Sequence, residues 1–71
     1  MFDFDKLLGR IIEKYGTRKA FAAAMEMGES ALCDRLAGKI NFKPPEIYKA
    51  AELLEIRAEE IGVYFFTPKV R

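Results

Sequence analysis

Between Thr17 and Lys39, in TRKAFAAAMEMGESALCDRLAGK, small and apolar residues recur at spacings that suit two short helices meeting at a sharp turn. Phe21 and Met25 stand four residues apart, as do Leu32 and Leu36, so each pair forms one stripe on its own helix. Ala22 follows Phe21 at the place where helices crossing at roughly 90 to 120° leave room for little more than a methyl group. Met27 is an apolar plug between the stripes, and Gly28 is tolerated just before a second helix that runs from about Glu29 to Leu36 and ends before Gly38. The segment 17–38 therefore reads as a helix-turn-helix. Two helices of about eight residues are not stable alone in water, so the remaining chain must supply a supporting core.

That core has to be small. A chain of 71 residues makes one domain, expected over residues 1–66, with a core that stabilises by roughly 3 to 5 kcal/mol and no room for a separate ligand-sensing unit. Hydrophobic residues make up 51% and charged residues 32%, a globular balance rather than a disordered one. Acidic Asp3 and Asp5 and the lack of a long apolar run argue against a secretory signal or a membrane span, so a cytoplasmic location is expected. Cys33 is the single cysteine and histidine is missing, which removes an internal disulfide and the ordinary zinc sets. With no glycine-rich phosphate loop and no carboxylate pair in an evident cleft, the chain is expected to be no enzyme, with no catalytic residues, cofactor, metal or small-molecule ligand.

Periodicity predicts five helices. Phe4, Leu7, Leu8, Ile11, Ile12 and Tyr15 repeat at intervals of three and four, with Asp3 or Asp5 as cap and Gly16 as terminator. Thr17 caps the second helix, which reaches about Met25. After a loop at 38–43, the Pro44-Pro45 pair suits the first turn of a fourth helix through Leu54, with Ile47, Ala50 or Ala51, and Leu54 facing inward and Tyr48 at the edge. A shorter fifth helix from about Ala58 to Tyr64 brings Ile61 back, weakened by Gly62, and residues 67–71 read as a short flexible tail. Phe65 and Phe66 cannot both point inward, so one of them is expected to be exposed or covered by a partner, which allows a homodimer.

Nearly the whole chain resembles the short phage and prophage regulators of the Cro/C1-type helix-turn-helix class. The residues that carry the resemblance are the opening MFDFDKLLGRIIEKYGT, the FAAAM stretch, Leu36 to Lys39, EIYKAAELL and the closing YFF. The resemblance implies an all-α, compact five-helix bundle of the lambda-repressor-like type, a role in a phage genetic switch in the bacterial cytoplasm at the nucleoid, and dimers whose third helix reads double-stranded operator DNA. The chain departs from that pattern at Glu26, where glycine is usual, at Gly28, where a hydroxyl cap is common, and at Arg18, which replaces a frequent glutamine.

The third helix departs most. Projected at 100° per residue, it turns Leu32 and Leu36 inward and leaves Glu29, Ser30, Cys33, Asp34 and Ala37 outward. This arc has no Arg, Lys, Asn or Gln, the usual readers of base edges. From Thr17 to Lys43 there are five basic residues (Arg18, Lys19, Arg35, Lys39, Lys43) against three acidic ones (Glu26, Glu29, Asp34), a net +2. From Pro44 to Gly62 there are two basic against five acidic, a net −3. Two readings follow. One is a transcriptional regulator whose helix at about 29–36 reads operator DNA while Arg18, Lys19, Lys39 and Lys43 hold phosphates. The other is a modulator or antirepressor that binds a phage repressor protein through the acidic arc, steered there by complementary charge.

Overall fold

A computed structural model of the chain describes residues 2–69. Five α-helices follow one another: α1 (Asp5–Tyr15), α2 (Arg18–Ala24), α3 (Glu29–Leu36), α4 (Pro44–Leu53) and α5 (Ile61–Phe65), with a 3₁₀ turn at Ala58–Glu60 ahead of the last. The expected fifth helix is thus divided between a tight turn and a short α-helix. Among the described residues no strand forms, and no helix is long and apolar enough to cross a membrane.

The helix starts follow local chemistry. Thr17 Oγ1 accepts from the Ala20 amide at 3.1 Å and caps α2, while Asp3 Oδ1 accepts from the Asp5 amide at 2.8 Å at the head of α1. Gly28 precedes α3 with no side-chain cap, and Pro44 and Pro45 occupy the first turn of α4, where an amide hydrogen would have no intrahelical partner.

Three helix ends share one termination. After α2, Glu26 donates to the Ala23 carbonyl and Met27 to the Ala22 carbonyl, both at 3.0 Å. After α4, Glu55 donates to Glu52 and Ile56 to Ala51 at 3.2 and 2.8 Å, and after α3, Gly38 and Lys39 do the same to Arg35 and Asp34. This closure needs a left-handed residue. Gly38 supplies it at φ 82°, but Glu26 and Glu55 adopt φ 61° and 56°, a conformation that costs roughly 1 to 2 kcal/mol for a residue with a Cβ. Each of these glutamates is held by a lysine from another helix: Lys49 to Glu26 at 3.0 Å and Lys14 to Glu55 at 3.2 Å.

The core is apolar throughout. Leu7 and Ile11 of α1, Phe21 and Ala22 of α2, Leu32 of α3, Ile47, Ala50 and Ala51 of α4, and then Met25, Leu54, Ile56 and Phe65 form one buried cluster. Burial of both Ala50 and Ala51 lets α4 lie close to its neighbours, and Ile12, on the expected inward stripe, is exposed instead. Phe42, in the loop before α4, packs edge-on between Phe4 and Phe65 at 5.5 and 5.4 Å. Phe65 is buried and Phe66 is half-exposed, which settles which of the two turns outward.

The expected flexible tail starts in paired structure. Phe2 and Pro68 form an isolated antiparallel bridge, the Asp3 amide donates to the Thr67 carbonyl at 2.7 Å, and Thr67 Oγ1 donates to the Val63 carbonyl. Residues 70 and 71 of that tail lie outside the described residues.

Candidate functional site

The outward side of α3 is placed by what its inward side buries. Leu32 is fully buried and Leu36 packs against the core, so Glu29 and Ser30 are exposed while Cys33 and Asp34 are half-buried at the flank. Ala37 is exposed at the C-terminal end. Arg18, at the start of α2, reaches across to this surface, where its guanidinium donates to Cys33 Sγ at 3.8 Å. The structure therefore brings Arg18, Glu29, Ser30, Cys33 and Asp34 together on the α2–α3 side. Lys19 is exposed on α2, Lys39 lies just past the end of α3, and Lys43 stands at the N-terminus of α4.

One basic residue is withdrawn from this surface. Arg35, counted with the positive segment, turns toward α4 and forms a two-pronged pair with Glu46, Nε to Oε1 at 2.9 Å and Nη2 to Oε2 at 3.0 Å. The side chains are only 11% and 20% exposed. Arg35 Nη1 also donates to the Ala31 carbonyl, and Glu46 Oε1 accepts from the Lys43 amide at 2.9 Å, satisfying one of the orphan donors at the head of α4. The Arg35 hydrogen bond holds the Glu46 carboxyl below the usual carboxylate range against the opposing effect of burial, and the Lys43 amide adds to the lowering. The same bond raises the Arg35 guanidinium further above its ordinary value. Arg35 is therefore an internal strut between α3 and α4, and the expectation that it adds to an outward positive field is corrected.

Sequence reasoning missed this pair because it links two helices across a loop. Only half of a local signal was present: Glu46 in the first turn after Pro44-Pro45 suits a carboxylate that folds back onto the Lys43 amide, while Lys43 itself offers no capping oxygen. Among the described residues, Glu29, Asp34, Lys19, Lys39 and Lys43 form no ion pair, so two carboxylates and three ammonium groups remain exposed or half-exposed for contact. No group of three or more His, Cys, Asp or Glu residues among the described residues is arranged to hold a metal ion.

Fold and surface together define a small all-helical protein whose α2–α3 pair presents unpaired charge outward. The chain belongs to the family described as proteins of unknown function DUF739, whose family model matches residues 1–68. Among solved structures it is similar to the solution structure of the modulator of repression (MOR) of the temperate bacteriophage TP901-1 from Lactococcus lactis. That likeness has 41% identity and a TM-score of 0.83, covering 99% of this chain and 95% of that one. No curated protein matches. These likenesses correct the resemblance to Cro/C1-type helix-turn-helix regulators: the family matched is a different one, and the structural relative modulates repression.

Proposed function

We propose that this protein is a phage-type modulator that acts by binding a repressor protein, with the outward arc of α3 and the adjoining Arg18 as its contact surface. The observation that carries the reading is the composition of that arc in a chain 41% identical to a modulator of repression. Glu29, Ser30, Cys33, Asp34 and Ala37 include no bidentate donor for a base edge, and the two carboxylates would meet a polyanion if the helix entered a DNA groove. A repressor's own DNA-binding surface is basic, so the same carboxylates suit it. Withdrawal of Arg35 into the α3–α4 seam further weakens any outward field for phosphate.

In this reading α2, the turn at Glu26 and α3 form a helix-turn-helix of the lambda-repressor-like type, used as a protein-binding rather than a DNA-reading unit. The chain works as a single-domain binding module without catalysis, in the cytoplasm of the bacterial host. Arg18 and Lys39 border the acidic arc and fix the register of docking.

The test follows the anisotropy of labelled duplex DNA from the gene's own upstream region, with this protein, with the neighbouring repressor, and with both. The expected result is no DNA signal from this protein alone and altered DNA binding by the repressor when it is added. Glu29→Lys combined with Asp34→Lys should abolish that effect. Binding of the duplex by this protein alone, with an affinity that falls roughly 10²-fold between about 50 and 200 mM salt, as four phosphate contacts would give, would overturn the reading in favour of operator binding.

A further inference from the structure

The outward arc of α3 ends at a recess. Ala37 belongs both to that arc and to the wall of a space of about 160 Å³, where Leu36 beside it meets Leu8 of α1 and the rings of Phe2 and Phe4. A space of this size admits one planar group of roughly benzene dimensions and excludes a helix. It is continuous with the α3 surface, because Ala37 lies one turn beyond Cys33, the residue that Arg18 reaches.

Charge and ring chemistry indicate what enters. The lining carries Asp3 and Asp5 against Lys69, two carboxylates to one ammonium. Neither carboxylate forms an ion pair among the described residues, and Asp3 uses only Oδ1 on the Asp5 amide, which leaves its other oxygen open. The end of α3 adds to the negative side. Among the described residues no backbone amide donates to the carbonyls of Leu36 or Ala37, and such carbonyls carry partial negative charge at a helix C-terminus. A lysine ammonium is compact and strongly hydrated, whereas a guanidinium is planar, weakly hydrated, stacks on aromatic rings and grips carboxylates through a fork of donors. Phenyl walls with a carboxylate rim therefore suit arginine over lysine.

We infer that this recess receives one arginine side chain from the DNA-binding surface of the repressor, its stem against Leu8 and Leu36 and its guanidinium beside the phenyl rings and Asp3 or Asp5. The inference rests on the repressor-binding reading and adds an anchor to it. Arginines seated in desolvated pockets rank among the few side chains that carry most of the energy of an interface. The contact surface thereby gains the start of the chain and α1, which lie outside the helix-turn-helix.

Titration of labelled repressor with the full chain tests the anchor and the reading separately. If the parent protein does not bind, both fall. Asp3→Asn with Asp5→Asn keeps the amide cap, since asparagine caps as well as aspartate, and should weaken binding about tenfold with an unchanged thermal melt. Lys69→Glu should strengthen binding about threefold, an opposite change that damage to the fold does not produce. When the repressor's surface arginines are replaced by alanine one at a time, one replacement should remove the sensitivity to Asp3→Asn with Asp5→Asn. Parent binding that stays within about twofold in Asp3→Asn with Asp5→Asn overturns the anchor and leaves the α3 arc standing as the contact, as does a sensitivity that survives every arginine replacement.

Discussion

Helix α3 carries charge on two sides and uses it differently. Toward α4, Arg35 is shielded, makes three hydrogen bonds and ties two helices together. On the outward side, Glu29 and Asp34 form no ion pair among the described residues, and Glu29 stands exposed. The contrast separates what a charge does for the fold from what it offers to a partner. A shielded two-pronged pair fixes geometry, because removing one member leaves the other desolvated and unmatched. An open carboxylate contributes little to stability and is free to set recognition.

The contrast can be broken outright at Leu32, which anchors both sides. Leu32→Ala should cost about 3 kcal/mol, comparable with all the stability a chain of this length is expected to have, so circular dichroism should find it largely unfolded at 37 °C. A folded variant with a small loss in a urea titration would show that α3 is held by other means.

Next in size is the shielded side. Glu46→Ala removes both bonds to Arg35 and the return bond to the Lys43 amide, and should cost about 2 kcal/mol. The pH dependence has a definite sign. The folded Glu46 carboxyl is held below its unfolded value, so its stabilising contribution is fully present above about pH 4.3 and is lost as pH falls through the lowered folded value. A Glu46→Gln variant should therefore lose less stability than the parent across that acid window when melts are compared.

A smaller effect, of opposite direction, is expected at Glu26. Glu26→Gly relieves a left-handed backbone at φ 61° and gives up an exposed bond to Lys49; the net gain should be about 0.5 to 1 kcal/mol, seen as a raised urea midpoint. No gain would mean that the lysine bond fully offsets the backbone cost. The smallest stability change belongs to the open side: Glu29→Lys with Asp34→Lys should stay within about 0.5 kcal/mol of the parent while removing the proposed effect on a repressor. A large loss of stability in that variant would erase the distinction between the two faces.

The helices were legible in the sequence because their signals are local. The i, i+4 pairs Phe21/Met25 and Leu32/Leu36, the Thr17 cap, the Gly16 and Gly38 terminators and the Pro44-Pro45 start need only neighbouring residues to act. The features that stayed hidden need a partner brought in from a distance. Phe42 is a loop residue until Phe4 and Phe65 close around it, Arg35 is a free cation until Glu46 arrives, and Glu26 in the left-handed region is tolerated beside Lys49 of another helix. Ile12 shows the converse: periodicity gave α1 an apolar stripe wider than its neighbours cover, so one edge of that stripe faces water. The candidate site was legible as a list of outward residues. What the list could not hold is the withdrawal of Arg35, which cuts the positive excess of segment 17–43 from five against three to four against three.

The bridge between Phe2 and Pro68, with the Asp3 amide on the Thr67 carbonyl, bears on how the molecule is made. Residues 2 and 3 emerge from the ribosome roughly 3 to 13 s before their partners, at 5 to 20 residues per second. During that interval Phe2 lacks Phe66, the ring it meets edge-on in the folded molecule. A nascent chain thus carries Phe2 uncovered until Phe66 arrives, and chaperone capture there is expected to precede final closure.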